Sequence, residues 1–291
     1  MRQALRKDLE PVGSSFTVKE LTEPHFDPNW HFHPHYQLFL VEEGTGTRFI
    51  GDSIKPFGPG DLVFLGPNLP HLWRSDQPYF AKQSDLSTSG IVVYFPEDFL
   101  GNDFFQKPEM TAIRQLLNQV RRGLEWTGNT RNHAEATLRA LVGQPVGFTR
   151  LLRFLTLLDE LSHAVDYRYL TSPGYTNTVK PAETDRMQVV HDYVLEHFPD
   201  DLSLDTIADL AGLTPPAFCR YFKVHANKTF SEFVSEVRIG HACKLLLGGK
   251  LNITQISFES GFRTLSNFNR QFKDITGQTP SNYVKNYRQV Y

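Results

Sequence analysis

The chain has 291 residues, of which 40% are hydrophobic, 13% aromatic and 21% charged. This composition excludes a disordered or fibrous protein, and the length favours two domains with separate cores. The formal net charge is −2. Taken over the whole chain, it argues against a protein that binds nucleic acid, because phosphate contacts need a basic surface.

The cysteines and the first residues indicate the compartment. Cys219 and Cys243 lie in one late helical region, and without a secretory N-terminus they are predicted to be free thiols in a reducing compartment. The opening MRQALRKDLEPVG is charged and lacks the apolar region of a signal peptide. No apolar run reaches the roughly 18 residues that a membrane span needs. We therefore expect a soluble, cytoplasmic protein without a membrane partner.

Short apolar runs, separated by Gly, Pro and Asn or Asp, predict a β-rich domain over residues 1–97. The runs are QLFLVEE (37–43), TRFIG (47–51), DLVFLG (61–66) and IVVYF (91–95). Several short strands at this spacing are typical of a small sandwich or barrel.

A group of histidines lies within this domain, in NWHFHPHYQLFLVEEGTG (29–46) and PGDLVFLGPNLPHLW (59–73). His31, His33, His35 and Gln37 alternate, so on one continuous strand all four side chains lie on the same face. His71 follows a later strand and a turn. Imidazole is a good ligand for Zn, Fe, Ni and Cu, so the pattern indicates a metal or effector site.

These two segments are similar to the two sequence boxes of the cupin barrel, which are His-x-His followed by Glu and Gly, and Pro-Gly-Asp followed by His. The resemblance implies a β-barrel with His31, His33 and His71 at metal-ligand positions. Gln37 stands where the pattern has Glu. Because Gln is neutral and a weaker ligand, this departure lowers the expected metal affinity and argues against catalysis.

Three interpretations of the histidines remain open. The favoured one, implied by the resemblance to cupin-like sensor domains, is a pocket for a small effector with no required cofactor; its residues are His31, His33, His35, Gln37 and His71. The second is a divalent metal, with the ligands His31, His33, Gln37 and His71. In the third, the histidines only fill the barrel mouth with hydrogen bonds.

Aromatic residues surround the histidines in the sequence. They either stack on a sugar ring, which makes a carbohydrate one candidate effector, or belong to the core; they are Trp30, Tyr36, Trp73 and Tyr79.

Residues 98–170 are predicted to be helical. Apolar residues recur at helical spacing in two stripes, which are Ile113, Leu116, Leu117 and Val120, and Leu151, Leu152, Leu155, Leu158 and Leu161. The second stripe either packs on the sheet or forms a dimer surface. The second of these interpretations predicts a homodimer. The next segment, TSPGYTNTVKPAET (171–184), has the composition of a linker.

The last hundred residues contain an internal repeat. IADLAGLTPPAFCRYFK (207–223) corresponds to ISFESGFRTLSNFNRQFK (256–273). In each copy a short helix ends at a Gly, and a second helix opens at Thr214 or Thr264, which predicts a helix-turn-helix.

Each second helix combines a buried face with an outward Arg. The pairs Phe218–Phe222 and Phe268–Phe272 have i, i+4 spacing, which puts each pair on one face, whereas Arg220 and Arg270 point outward. One copy alone would suit an ordinary helical hairpin; two copies in register favour recognition helices. Residues 229–247 predict one helix of roughly 28 Å between the copies.

Residues 185–291 resemble the DNA-binding domain of the AraC/XylS family of transcriptional regulators. The resemblance is carried by residues 256–285, with Gly-Phe, a polar turn, Phe-x-Arg-x-Phe-Lys and then Gly277, Pro280 and Tyr283. It implies an all-α domain with two helix-turn-helix motifs, each of which places one helix in the major groove.

The resemblance also implies which residues contact DNA. They are Pro216, Cys219, Arg220 and Lys223 in the first copy, and Arg263, Ser266, Asn267, Arg270 and Lys273 in the second. Arg220 and Arg270 would contact guanine edges or phosphates and Asn267 would read adenine. Lys223, Lys273 and Lys228 would contact phosphates. The second copy is expected to read more bases, because its helix offers more donors.

The sequence therefore predicts an α+β multidomain protein, namely a transcriptional regulator rather than an enzyme. Its predicted partners are double-stranded DNA, a small effector, a second copy of the chain and RNA polymerase. The alternative is a metal-dependent cupin enzyme, such as a dioxygenase or isomerase, with a DNA-binding tail. The charge agrees with the regulator: residues 211–291 hold eleven Lys or Arg and four Asp or Glu, a net +7, and the other 210 residues carry −9.

Overall fold

The computed structural model describes residues 14–175 and 181–287. The charged segment at residues 1–13 and the middle of the predicted linker, residues 176–180, lie outside this range. The described residues separate into an N-terminal unit, which holds nearly all residues up to 175, and a C-terminal unit from residue 181 onwards. In the part of the chain that the structure describes, no helix is both long and apolar enough to cross a membrane.

The N-terminal unit contains two sheets and three α-helices. The strands are β1 (Thr17–Glu23), β2 (His35–Glu43), β3 (Gly46–Ile50), β4 (Ser53–Phe57), β5 (Leu62–Leu65), β6 (His71–Ser75), β7 (Thr88–Pro96), β8 (Leu124–Trp126) and β9 (Tyr167–Tyr169). The helices are α1 (Thr111–Gln119), α2 (Gly128–Val142) and α3 (Phe148–His163). One sheet has the order β1-β7-β2-β5-β8-β9 and the other the order β4-β3-β6.

The six-stranded sheet is covered on both faces. On β2, Leu38 and Leu40 belong to a core shared with the helices, whereas Phe39 and Val41 face a second core shared with β3 and β6. Successive residues along a strand point to opposite faces of the sheet. A strand that lies between two apolar layers is therefore apolar at every position. This explains the unbroken apolar runs. The β-rich fold predicted for this part of the chain is confirmed, but its described strands form two separate sheets rather than the predicted single barrel, and β8 and β9 lie beyond residue 97.

A buried guanidinium joins the two sheets. Arg48 of β3 is 1% exposed; its Nε lies 2.9 Å from Asp61 Oδ2, and its Nη2 lies 2.9 Å from Glu125 Oε1 of β8. The paired carboxylates raise the Arg48 pKa despite its burial. A buried charge is tolerated only when it is paired in this way.

The segment 98–170 differs from the helical prediction, because β8 and β9 lie within it and extend the sheet from β5. Each strand has only three residues, too few for a period of two to stand out against the helices around it. The helices pack on the sheet through buried residues such as Leu116 and Leu158. The packing interpretation of the stripes therefore holds for these residues.

Both ends of the predicted linker belong to folded parts. Thr171 is buried and hydrogen-bonds Arg122, and Ser172 hydrogen-bonds Asp52. At the other end, helix α4 begins at Pro181. Linker composition therefore does not mean that Thr171 and Ser172 are unstructured, since small polar residues also serve as hydrogen-bonding contacts on a domain surface.

The C-terminal unit is all-helical. Its elements are α4 (Pro181–His197), α5 (Leu204–Leu210), α6 (Pro215–Ala226), α7 (Phe230–Gly248), α8 (Ile253–Glu259), α9 (Leu265–Thr276) and α10 (Pro280–Tyr287). The predicted helix between the repeats is α7. It begins with a capping box between Thr229 and Glu232 and ends at Gly249, which has the left-handed conformation.

Helix α7 is a central rod that carries both helix-turn-helix motifs. Phe222 of α6 packs on Phe233 near its start, and Phe268 and Phe272 of α9 lie in a core with Leu246 near its end. All four repeat phenylalanines are fully buried, as predicted. The predicted all-α domain with two helix-turn-helix motifs is confirmed.

Candidate effector site and DNA-binding surface

Three of the predicted histidines meet at one point of the N-terminal unit. His31 and His71 form an isolated antiparallel bridge, with backbone N–H to carbonyl distances of 3.1 and 2.9 Å. The His33 ring lies 5.1 Å from the His71 ring, and the His31 and His71 rings are 4.5 Å apart. One nitrogen from each of the three rings lies within 4.8 Å of the others, and all three residues are buried. We call these residues the three-histidine cluster.

Backbone carbonyls orient all three rings. The Nδ1 atoms of His31 and His71 lie 2.7 Å from the carbonyl oxygens of Asn29 and Leu69, and that of His33 lies 3.1 Å from the His35 carbonyl. A neutral imidazole carries one N–H. When Nδ1 of His31 or His71 donates to its carbonyl, Nε2 of that ring keeps the lone pair. This arrangement is the one that usually orients metal-binding histidines. His33 differs, because its Nδ1 and its Nε2 both face an oxygen, and a neutral ring donates to only one of them.

Burial lowers the pKa of one ring of the cluster. Desolvation lowers the pKa of His33 to about 4, and the neighbouring His31 and His35 act in the same direction. The Gln37 Oε1 lies 2.9 Å from His33 Nε2 and holds the ring in place. At neutral pH His33 is therefore uncharged, which is the protonation state that metal binding requires of an imidazole.

The prediction that His31, His33, His35 and Gln37 share one strand face is wrong. Strand β2 begins at His35, and the chain bends at Pro34, which has no N–H to donate to a neighbouring strand. His35 is buried and its ring lies 6.0 Å from that of His33, but it is not one of the three clustered histidines.

A cavity of about 70 Å³ adjoins the cluster between the two sheets. His31 and Gln37 reach it from the predicted set; the other lining residues are Leu21, Phe26, Asp27, Phe39, Trp73, Val92 and Tyr94. Tyr94 lies opposite Gln37, and Val92 opposite Phe39, in the pairing of β7 with β2. Sequence reasoning missed them because nothing local indicates that register.

Of the four predicted sugar-stacking aromatics, Trp73 lines the cavity. Tyr36 faces the opposite side of β2 and packs on Phe64 and Phe95 in the core shared with the helices. For Tyr36 the core interpretation is therefore correct, because neighbouring residues of one strand point to opposite faces.

The predicted DNA contacts lie on the exposed faces of the repeat helices. The exposed residues are Pro216, Cys219, Arg220 and Lys223 on α6, Ser266, Asn267, Arg270 and Lys273 on α9, and Arg263 in the turn before α9. Thr264 caps α9 by accepting the Asn267 N–H, 3.3 Å away. Thr214 occupies the same position before α6 and makes no side-chain cap bond. Pro215 and Pro216 fill the first two helical positions, where a missing N–H costs no intrahelical hydrogen bond.

Some of the basic residues also form contacts within the unit. Arg263 pairs with Asp201, and Lys228 pairs with Glu236. Arg238 donates to the Phe198 carbonyl at 2.7 Å and to the Asp200 carbonyl at 2.8 Å. Lys228 and Arg238 are partly buried in these contacts, so they contribute less to a phosphate-binding surface than the charge count suggested.

The loop between α4 and α5 packs on the turn of the second motif. Besides the Arg238 contacts, the Cα of Gly261 lies so close to this loop that a Cβ there would be 2.8 Å from Phe198 and Pro199. Gly261 also has φ +82°. The equivalent Gly212 has φ +64° and open space around it. The two turns thus share a backbone conformation but differ in packing.

Comparisons with known proteins agree with both units. Residues 13–143 match the AraC-like ligand binding domain, and residues 207–286 match a helix-turn-helix domain. The chain is 31% identical over 273 residues to YdeC, an uncharacterised HTH-type transcriptional regulator of Bacillus subtilis, covering 88% of this chain and 85% of that protein.

Solved structures of regulators are also similar. The C-terminal domain of AraT, a response regulator from Geobacillus stearothermophilus, is 26% identical over 35% of this chain and 84% of that one, with a TM-score of 0.33. ToxT from Vibrio cholerae, solved with an unsaturated fatty acid, is 16% identical over 94% of this chain and 96% of that one, with a TM-score of 0.36. Given the relative that matches over most of its length and the two matched domains, the chain belongs to the AraC family of transcriptional regulators.

Proposed function

We propose that this DNA-binding regulator is controlled by a ligand that binds at the three-histidine cluster. The observation that carries the proposal is the convergence of three buried imidazoles, each of which has its Nδ1 within 3.1 Å of a backbone carbonyl oxygen. The three rings bring one nitrogen each within 4.8 Å of one another, and imidazole nitrogens grouped in this way are a donor set that transition metals bind.

The donor set fits a divalent transition metal. Zinc, nickel and copper bind neutral imidazole readily, and a zinc centre with three histidines keeps a position open for another ligand. His31, His33 and His71 would hold the ion, with Gln37 as the residue that positions His33. The adjoining cavity of about 70 Å³ is far smaller than the roughly 300–1,000 Å³ of pockets for drug-sized molecules. The described conformation therefore favours an ion, with a few waters or a very small molecule, over a carbohydrate.

Equilibrium dialysis against Zn²⁺ and Ni²⁺ tests the ligand. The intact protein and the His133→Ala control, whose histidine is exposed, should bind one ion per chain, and His71→Ala should bind none. Equal binding by all three proteins would exclude the cluster as the metal site. We propose a sensor rather than an enzyme because the chain has Gln37 in place of a carboxylate; metal-dependent turnover of a small substrate would overturn this assignment.

The β3–β4 turn connects the cluster to the end of the N-terminal unit. Ile50 lies opposite His71 in the pairing of β3 with β6, and Gly51 donates its N–H to the Pro70 carbonyl at 2.8 Å. The next residue, Asp52, accepts hydrogen bonds from the Ser172 N–H and hydroxyl. We propose that ligand binding at His71 shifts this turn and, through Asp52, the backbone at Ser172.

Substitution of Ser172 separates ligand binding from its effect on DNA. Ser172→Ala should bind the ligand normally but show a smaller ligand-dependent change in DNA affinity, because it loses a direct bond to Asp52. Ser162→Ala is the control, since that hydroxyl bonds within α3. An unchanged response in Ser172→Ala would rule out this route.

On the DNA side, we propose that α6 and α9 enter successive major grooves, with α7 as the spacer. Arg270→Ala should weaken binding to a selected site by roughly 1–3 kcal/mol and binding to random duplex far less. Equal losses on both duplexes would make Arg270 a phosphate contact. Such a protein would act in the cytoplasm, and RNA polymerase is a further predicted partner.

We also propose that the chain forms a homodimer through α2 and α3. Phe148 and Leu152 are 77% and 51% exposed, and Leu152 lines a groove between the two helices. Exposed apolar side chains in a contiguous patch are typical of an interface.

A further inference from the structure

The two recognition helices differ in the residue that precedes the outward Arg by one helical turn. On α9 the Arg270 Nη2 donates a hydrogen bond to the Asn267 Oδ1, at 3.0 Å. On α6 the equivalent residue, three before Arg220, is Ala217, whose methyl side chain accepts no hydrogen bond. The repeat therefore places a side-chain acceptor one turn before Arg270 and a methyl group one turn before Arg220.

The contact with Arg270 changes what Asn267 can read. An Asn amide has one carbonyl oxygen, which accepts, and one NH₂ group, which donates. Bidentate recognition of adenine needs both, because adenine offers an acceptor at N7 and a donor at N6 in the major groove. With its oxygen directed at Arg270, Asn267 presents its NH₂ group outward. Together the two side chains present donors.

Guanine is the base that matches a surface of donors. Its major-groove edge offers two acceptors, N7 and O6, and Arg is the side chain that most often reads them. The contact with Asn267 also restricts the guanidinium before DNA arrives, so that less side-chain freedom is lost on binding. The cap from Thr264 to the Asn267 N–H fixes the start of the helix from which both side chains project.

We propose that Asn267 is a positioning residue that directs Arg270 to guanine and so determines the base preference of the second motif. This inference rests on the proposed entry of α9 into the major groove. It replaces the expectation that Asn267 reads adenine. Arg220, which lacks this partner, contributes affinity with less base preference.

Selection of binding sites from a random duplex library tests this inference. The intact protein should enrich a site with two half-sites, and loss of enrichment with Arg270→Ala identifies the half that α9 reads. In that half, Asn267→Ala should reduce the guanine preference by up to about tenfold, because Arg270 is then no longer held towards the guanine edge, and one base contact is worth about this much. Affinity for random duplex should change less than about twofold, because phosphate contacts are kept.

A reciprocal variant provides the matched control. Ala217→Asn places an acceptor one turn before Arg220 and should add a guanine preference in the other half-site, which a merely structural role of Asn267 would not predict. Circular dichroism should show that both variants keep their helices, since both positions lie on the helix surface.

Two results would overturn the inference. One is an unchanged guanine preference in Asn267→Ala; the other is an adenine opposite α9 that is lost in this variant, which would mean that Asn267 reads the base itself. Failure of the intact protein to enrich any sequence would instead contradict the proposed function, so the two failures can be distinguished.

Discussion

The two repeat turns allow a matched test of the packing around the second motif. Gly212→Ala and Gly261→Ala make the same chemical change at equivalent positions, both with φ in the left-handed region. An alanine there costs about 1–2 kcal/mol, partly offset by about 0.4–1 kcal/mol from the less flexible unfolded chain. We expect Gly212→Ala to destabilise the C-terminal unit by about 1 kcal/mol.

Gly261→Ala should cost more. The new methyl would lie 2.8 Å from backbone atoms of Phe198 and Pro199, so the α4–α5 loop must move, and with it the acceptors of the Arg238 hydrogen bonds. Forcing an extra carbon into a packed site costs about 1–3 kcal/mol. The total is therefore about 2–4 kcal/mol.

Urea unfolding of the full chain measures both effects. The three tryptophans, Trp30, Trp73 and Trp126, all lie in the N-terminal unit, so tryptophan fluorescence is an internal control that neither variant should shift. Circular dichroism of the helices should show the larger loss of stability for Gly261→Ala. Equal losses for the two variants would refute the claim that the loop packs on the second turn.

Three further outcomes follow from buried and exposed side chains. Arg48→Met should destabilise the N-terminal unit by roughly 3–5 kcal/mol, because the buried Asp61 carboxylate loses its ion pair with Arg48. The tryptophan fluorescence transition should then occur at a lower urea concentration, and a loss of stability below about 1 kcal/mol would contradict this expectation. Burial lowers the pKa of His191 to about 3 in the folded protein. The free energy of unfolding does not depend on this group above pH 6.5, and it decreases by about 1.4 kcal/mol per pH unit as the pH falls from 6.5 towards 3, because only the unfolded chain takes up the proton. His191→Phe should flatten this dependence between pH 7 and 5, whereas the control His197→Ala should not. Leu152→Glu should convert a dimer into a monomer in light scattering, and an unchanged mass would exclude this face as the interface.

The helix-turn-helix repeat could be predicted because its signals are local. A positive-φ Gly, a Thr at the helix start and a Phe pair at i, i+4 each act within one or two turns, and a second copy in register repeats them. Phe268 and Phe272 are buried as this pattern requires, and Arg270 is exposed. The differences between the copies, such as the contact of Gly261 with the α4–α5 loop, depend on residues far away in sequence.

The candidate effector site could be predicted only in part. The His-x-His spacing and the later His71 were sufficient to identify the cluster, although the bend at Pro34 removes His35 from it. The opposite wall comes from β7, where Tyr94 pairs with Gln37 across more than fifty residues of chain. Strand pairing over such a distance is set by burial of both faces rather than by any local pattern.

The most direct test of the account is a measurement of coupling between its two sites. The dissociation constant of the selected DNA site is measured with and without saturating Zn²⁺, and that of Zn²⁺ with and without the DNA. If the cluster controls DNA binding, both constants change by the same factor, because coupling between two sites is reciprocal, and His71→Ala abolishes both changes. A protein that binds Zn²⁺ at the cluster with no change in DNA affinity would contradict the account.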